Sequence, residues 1–583
     1  MLKRAFTVLR AISHQLGPHR RMRCVAPRMI CGILLIMSVA HVAARRPRIP
    51  WLRDGQFRVA WLLTLVAGIA IIKFWRVGPD WPAQEFRSWL VHTAGLQVWN
   101  NAWYGGHALP GYSVLYPVAA MLFGAGLSGV IGVTLSSWAA IRLTEDLDSR
   151  WPRAYGIVVP VGTAAWGLGN LIIGQVPFIL GVAAALLAML AVRNHRSIVA
   201  GVLAGVCSLF SPLAGLFLVL VAIAWGPEIR WRRAGLLFLA ALGSAVSVVV
   251  GGGSGQFPTV RTSIITVSVC VVLGTLFISR DLRTLRRFML VYGAAAAVLF
   301  TVPNPVGGNL TRLGQLIAFP LVLWLLARKG LRQWSSKFVN VVVVIGLLAM
   351  AGAWQVTPVV SAVARADGDP SRSAQFYSGL LSFLQTQNRA GGRLEIPFTR
   401  EHWESVYVAQ KFPIARGWER QLDLHYNAVL YHPLNAQQYR SWLAAAGVDL
   451  VALPRAPLDY GGIAERALLQ RPPSYLEPVY SDRYWSVYRV VDASPLVVGD
   501  AADLVRLNSS SVTVNFTRPG TEVIRLHGSK LWRTGAANVC LSTTPDGWLQ
   551  VRAFQPGVVT IRAQVTFANL FAAALPACDI DEG

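Results

Sequence analysis

Trp75–Pro117 reads WRVGPDWPAQEFRSWLVHTAGLQVWNNAWYGGHALPGYSVLYP. It connects two apolar runs, at roughly 58–74 and 116–141, and connectors longer than about 12–15 residues are uncommon unless they are functional. Aromatic residues (Trp75, Trp81, Trp89, Trp99, Trp103, Tyr104, Tyr112 and Tyr116) alternate in it with Asp80, Glu85, His92, Asn100, Asn101 and His107. Aromatic side chains beside a bilayer have a plain explanation as an interfacial belt. Gly105, Gly106, Pro110 and Gly111 read as turn chemistry.

The composition around this stretch is that of a membrane protein. Of 583 residues, 54% are hydrophobic and 14% charged, with a mean hydropathy of +0.46. Soluble domains carry about 25% charged residues. The net charge of +26 is unevenly spread: residues 1–358 hold 33 Lys and Arg against 8 Asp and Glu, whereas 359–583 hold 21 against 20. A basic surface spread over both halves would suggest nucleic acid. A basic excess confined to the apolar half reports orientation and contact with anionic membrane lipids instead, and excludes nucleic acid as the partner.

About eleven apolar runs are long enough, or nearly so, to cross a bilayer core of about 30 Å. They lie at roughly 58–74, 116–141, 154–171, 174–192, 198–210, 213–226, 234–251, 262–279, 288–302, 314–327 and 338–356. The pair flanking Ser211-Pro212 is short, and a broken or re-entrant helix is an alternative there. Basic residues fall in alternate loops: Arg45, Arg46, Arg48 and Arg53, then Arg193 and Arg196, Arg230, Arg232 and Arg233, Arg280, Arg283, Arg286 and Arg287, and Arg328, Lys329, Arg332 and Lys337. These loops are expected on the cytoplasmic side, which puts the chain beyond Pro358 outside. The segment 1–57 stays unassigned, because Met29–Ala44 is apolar with basic residues on both sides and reads equally as a signal peptide, an additional span or the result of an early translation start.

Only eight acids precede Pro358, and Asp80 and Glu85 lie five residues apart at the expected outer end of the first span. A carboxylate near the interface has a raised pKa, suited to taking a proton from a hydroxyl. The bland reading is a loop acid paired with Arg76 or Arg87.

The pattern resembles the GT-C class of membrane glycosyltransferases: many spans, an acid in a large first outside loop, and a C-terminal outside domain. More narrowly, GPDWPAQ at 78–84 and VWNNAWYGGHALPGYSVLYP at 98–117 resemble a group of actinobacterial integral membrane proteins of that kind. NLIIGQVPFILG at 170–181, SPLAGLFLVL at 211–220 and ARGWERQLDLHYN at 415–427 match the same group, so that the similarity covers most of 58–490. The resemblance implies a catalytic base, or an acid that helps bind a metal, in the first outside loop, and a sugar donor on polyprenyl phosphate. Carried over, it makes Asp80 the loop acid and Glu85 a second carboxylate. Their spacing departs from a compact Asp-x-Asp pattern, so a divalent metal cofactor is left open and no metal ligands are assigned. A leaving phosphate calls for a cation at the outer interface. Arg312, in PNPVGGNLTRLGQLIAFP, stands first for that role and Arg261 second. Trp103 and Tyr104 would stack on sugar rings, and His92 and His107 would hydrogen-bond hydroxyls.

The remaining expectations concern the tail. Residues 359–495 mix helical and strand signals, as in a small α/β domain. Arg416, Glu419 and Arg420 form a charged cluster there, able to face an acceptor glycan or lipid, to dock on the membrane loops, or to pair in the interior. Residues 496–583 alternate in short β-rich runs, as in a β-sandwich, with Trp532 and Trp548 offering either stacking faces or core. Cys540 and Cys578 are the two outside cysteines and form a disulfide candidate. No phosphate-cradling loop, HExxH or GxSxG is present, and no acid lies within an apolar run, which counts against ion-coupled transport. The expected activity is sugar transfer from a polyprenyl-phosphate donor to a cell-envelope glycan or lipid acceptor at the cell membrane. A non-catalytic envelope scaffold or glycan-binding membrane protein is the alternative, ahead of a lipid or glycan exporter.

Overall fold

A computed structural model describes residues 50–144, 158–225, 256–327, 336–387 and 391–566, together with Leu239, Leu242, Gly243 and Leu575. The chain forms two units, Met1–Gln56 and Phe57–Gly583, and the contacts that follow lie within the second. Residues 1–49, with the apolar stretch Met29–Ala44, lie outside the described residues, as does most of the run 234–251.

The other ten apolar runs are helical. They are α1 (Pro50–Phe74), α3 (Tyr116–Thr144), α4 (Val158–Ile173), α5 (Val176–Arg193), α6 (Ser197–Phe210), α7 (Pro212–Trp225), α8 (Arg261–Phe277), α9 (Arg283–Thr301), α10 (Thr311–Ala327) and α11 (Lys337–Ala366), while α2 (Asp80–Ala94) lies in the first long loop. Five segments are long and apolar enough to cross a membrane: Tyr116–Leu143, Val176–Arg193, Arg283–Thr301, Gly307–Leu326 and Phe338–Ala366. Eighteen helical residues span about 27 Å, close to the bilayer core. The chain is a multi-pass membrane protein.

Hydrogen bonds between loops sort the helix ends into two sets. At one end, Val77 N–H donates to the Ile172 carbonyl (3.1 Å), Leu115 N–H to Leu209 (3.1 Å) and Phe257 N–H to Asn304 (3.1 Å). At the other, Arg193 donates to the Arg142 and Leu143 carbonyls and Arg287 to Ala224 (3.3 Å). The first set carries α2 and the C-terminal domains; the second carries the arginines. The sequence boundary near Pro358 falls inside α11, which continues to Ala366.

Beyond α11 come α12 (Ala374–Thr386) and a four-stranded sheet of β3 (Arg393–Glu395), β4 (Val448–Pro454), β6 (Trp485–Val490) and β5 (Leu476–Ser481), in that spatial order. Strand β3 runs parallel to β4 and the other pairs are antiparallel. The last part is a sandwich of two four-stranded sheets. One contains β7 (Val497–Val498), β10 (Gly520–His527), β12 (Val539–Thr543) and β13 (Trp548–Ala553); the other contains β8 (Ala502–Leu507), β9 (Ser511–Phe516), β11 (Trp532–Thr534) and β14 (Gly557–Ala563). Along β9 the alternation expected of a half-buried strand holds, with Val512, Val514 and Phe516 buried and Thr513 and Asn515 only partly so.

The long loop packs into both of these regions. Its hairpin, β1 (Trp99–Asn100) and β2 (His107–Ala108), inserts Trp99 into the sandwich core with its ring 5.1 Å from that of Trp532. Phe86 and Leu90 of α2, with Trp103 and Tyr104, share one apolar core with Phe376, Tyr377, Leu394 and Trp485. Backbone bonds Asn101 N–H to Ser509 O (2.7 Å), Ile414 N–H to Ala102 O (3.0 Å) and His527 N–H to Gly105 O (2.9 Å) fasten it.

Candidate active site

Asp80 opens α2, where a first-turn carboxylate is favoured by the exposed backbone N–H groups and the helix dipole. Two neighbours fix its place. Trp81 is fully buried and its indole N–H donates to the Ile172 carbonyl at 2.9 Å. Gly78 has φ of +106°, and a Cβ there would sit 2.9 Å from the Ile173 Cα, so only glycine lets the loop pass so close to the end of α4.

The Asp80 carboxylate faces Arg312, the second residue of α10, at 4.0 Å, with side-chain exposures of 34% for Asp80 and 24% for Arg312. Gln175, which precedes α5, is a polar neighbour that helps to hold the Asp80 pKa down. Packing beneath surrounding protein raises the Asp80 pKa above the ordinary carboxylate value, and Arg312, His402 and Arg87 offset part of the rise. The guanidinium of Arg312 also lies 5.5 Å from the centre of the Phe178 ring. A half-buried carboxylate and a half-buried guanidinium therefore meet at the end of the helix bundle that carries the C-terminal domains.

The α/β domain adds residues that sequence reading did not single out. Glu401 is buried and accepts a 2.9 Å hydrogen bond from the Gly78 N–H through one oxygen. Burial raises its pKa, and the Gly78 N–H opposes that rise. His402 is buried, stacked on Trp418 with centroids 3.4 Å apart, and sits 3.7 Å from both Glu404 and Asp459. Burial works against its protonation, but those two carboxylates outweigh it and raise the pKa. No local spacing links Glu401 or His402 to Gly78. The only signal was the density of charged and aromatic residues in PFTREHWE at 397–404.

The other sequence candidates are dispersed. Glu85 pairs with Arg76 rather than facing Arg312; five helical residues turn it about 140° from Asp80. His92 is exposed on the last turn of α2, its Nδ1 2.6 Å from the Ser88 carbonyl oxygen. Trp103 is buried, stacked on Phe86 at 4.3 Å, and donates to the Ser405 carbonyl. Tyr104 is buried and its hydroxyl donates to Gly417 O at 2.6 Å. His107 is buried without a hydrogen-bond partner for either ring nitrogen, and burial beside Arg87 lowers its pKa to about 3. These three lie in the interior between loop and domain, away from solvent.

Arg261 is exposed at the start of α8. The turn before it bonds to the turn before α10, Gly308 N–H donating to Pro258 O at 3.2 Å, which puts Arg261 and Arg312 at the same end of their helices. Arg416 is buried in a cluster: its guanidinium holds both Asp423 oxygens (3.0 and 2.6 Å) and Glu465 (2.7 Å), with Glu395 at 3.9 Å. Arg420 pairs with Asp459 at 2.8 Å. Glu419 reaches Arg87 of α2 at 2.8 Å. Cys540 of β12 is disulfide-bonded, and Cys578 lies outside the described residues.

Among the described residues no group of three or more His, Cys, Asp or Glu side chains could hold a metal ion. The charged side chains that most offset the rise in the Asp80 pKa are Arg312, His402 and Arg87.

No protein-family model and no curated protein sequence matches the chain. In three dimensions it is similar to the cryo-EM structure of the arabinofuranosyltransferase AftD from mycobacteria, with a TM-score of 0.44 and 12% identity over 88% of this chain and 57% of that one. The chain thus spans little more than half the length of that protein. It is also similar to the crystal structure of ArnT from Cupriavidus metallidurans in the apo state, with a TM-score of 0.33 and 14% identity over 75% of this chain and 97% of that one.

Proposed function

We propose that the chain is an inverting membrane glycosyltransferase of the GT-C kind, moving a sugar from a polyprenyl-phosphate donor to a cell-envelope glycan or lipid acceptor on the outer face of the cell membrane. The observation that carries this reading is the half-buried Asp80 carboxylate 4.0 Å from the half-buried Arg312 guanidinium.

The reaction follows from what each group can do. The acceptor hydroxyl attacks the anomeric carbon while Asp80 takes its proton. The bond from that carbon to the phosphate oxygen breaks, and the phosphate leaves with the electron pair, its charge met by Arg312. Arrival of the donor phosphate draws Arg312 from Asp80. That removes the strongest influence holding the carboxylate pKa down, and makes Asp80 a better base as the donor binds. Glu85 stays with Arg76 and takes no part.

The outer placement is supported by the separation of charge between the two ends of the bundle. Arg193, Arg196, Arg280, Arg283, Arg286 and Arg287 lie at the end away from Asp80, and such residues are retained on the cytoplasmic side. Parity supports the count of about eleven spans. Helix α7 ends beside the start of α9, whereas α8 begins beside the end of α9, so one further crossing is needed between α7 and α8.

The test is transfer of labelled sugar from a panel of polyprenyl-phosphate donors by the purified protein and by Asp80→Asn. Transfer by neither protein would favour a non-catalytic scaffold.

A further inference from the structure

Where the β1–β2 hairpin, the α/β domain and the sandwich meet, they enclose a cavity of about 80 Å³ lined by Tyr104, Arg393, Tyr426, Trp442, His527 and Trp548 among others. At about 10–15 Å³ per water position, that is room for several waters or one ring of a ligand. It is separate from Asp80 and Arg312, neither of which lines it.

Its chemistry is one-sided. Arg393, the first residue of β3, is 1% exposed. Its Nη1 donates to Ala446 O (2.6 Å) and its Nη2 to Arg525 O (2.5 Å), while Nε has no partner. Among the described residues no carboxylate lines the cavity. Burial, and then the neighbouring Arg525, lower the Arg393 pKa to about 9, which leaves it charged at neutral pH. Buried charges in proteins are normally paired, and an unpaired one is costly. Arg393 lines the cavity with no carboxylate opposite it, and a planar guanidinium is suited to a carboxylate or phosphate.

Another part of the lining is a stack of aromatic rings. Tyr426 stacks on His527 (4.1 Å, 19°) and His527 on Trp548 (4.6 Å, 14°). His527 and Trp548 are cross-strand partners on β10 and β13, so the sheet fixes their spacing. Burial lowers the His527 pKa to about 4 and keeps that ring neutral. Gly105 forms part of the wall with φ of +74°, and a Cβ there would lie 3.2 Å from the Trp548 ring and 3.6 Å from the Arg393 Cζ.

We propose that this cavity binds a sugar unit bearing an anionic group, its carboxylate or phosphate on Arg393 and its ring against the Tyr426–His527–Trp548 wall. The site binds without reacting and does not depend on the Asp80 chemistry. Its place, where the first long loop meets both C-terminal domains, suits recognition of a glycan that reaches the membrane.

The experiment is calorimetric titration of the full chain in nanodiscs with glucuronate, glucose 6-phosphate, glucose and inorganic phosphate. Glucuronate or glucose 6-phosphate should bind at least about tenfold more tightly than glucose and than inorganic phosphate, and whichever of the two is tighter identifies the anionic group. Ala445→Trp, which fills the exposed rim, and Trp548→Ala should each weaken that binding about tenfold or more, whereas Val558→Ala, at an exposed residue outside the cavity, should leave it unchanged. Equal binding of glucose, equal binding of inorganic phosphate, no binding of any probe, or unchanged binding by correctly folded Ala445→Trp would each overturn the proposal.

Discussion

Arg87 of α2 and Glu419 of the α/β domain, 332 residues apart, form a buried ion pair at 2.8 Å. It joins the helix that carries Asp80 to the domain that covers it. Removing one partner leaves the other charged and buried, a change that costs about 3–5 kcal/mol. Glu419→Ala is therefore expected to destabilise the protein by about that much, and Arg87→Met/Glu419→Leu to recover most of the loss. Denaturant unfolding in detergent checks this; equal loss in the single and double variants would contradict the pairing.

Trp103 has a structural task, so Trp103→Ala should act on stability, by about 3–5 kcal/mol, and leave the donor KM of the surviving folded fraction unchanged. A rise in KM without a loss of stability would restore it as a sugar platform.

His107 adds a dependence on acid. Its folded pKa of about 3 lies below the ordinary histidine value of 6.5, so the unfolded chain binds more protons between those values. Stability contributed by neutral His107 is present above about pH 6.5 and is lost as pH falls towards 3. His107→Phe should flatten the decline in melting temperature between about pH 6.5 and 4.

Asp80 must be ionised to act as a base. Its raised pKa places the acid limb of the rate profile above that of an ordinary aspartate, with activity lost as pH falls through it. Because Arg312 lowers that pKa in the free enzyme, Arg312→Leu should move the acid limb of kcat/KM to higher pH as well as reduce the maximal rate. A limb that stays in place in Arg312→Leu would separate the two residues.

The orientation is open to labelling. A cysteine at exposed Val558 of β14 should react with an impermeant maleimide in intact cells, and one at exposed Arg283, at the start of α9, only after permeabilisation. The reverse pattern would invert the topology.

Much of the helical architecture was legible because crossing a bilayer imposes long apolar runs and alternating basic loops, both local features of sequence. Asp80 and Arg312 were legible as scarce charges of opposite sign at one end of those runs, although nothing in the spacing gave their 4.0 Å approach. The long loop was less legible. Trp103, Tyr104 and His107 look like surface chemistry on an isolated loop, and they are buried because domains hundreds of residues later close over them. Glu401 and His402 were hidden for the same reason, since their relation to Gly78 and Asp80 exists only in the folded chain. Arg416 is the converse case: a cluster that invited a glycan satisfies its charges internally against Asp423 and Glu465.

The central claim is that Asp80 is the base of a sugar transfer. It is tested most directly in proteoliposomes, by following transfer of a labelled sugar from polyprenyl-phosphate donors by the wild-type protein and by Asp80→Asn of equal melting temperature. The expected result is transfer by the wild type and a loss of about 10²–10⁴-fold in kcat for the variant, the usual contribution of a general base. Transfer by Asp80→Asn at the wild-type rate would contradict the account.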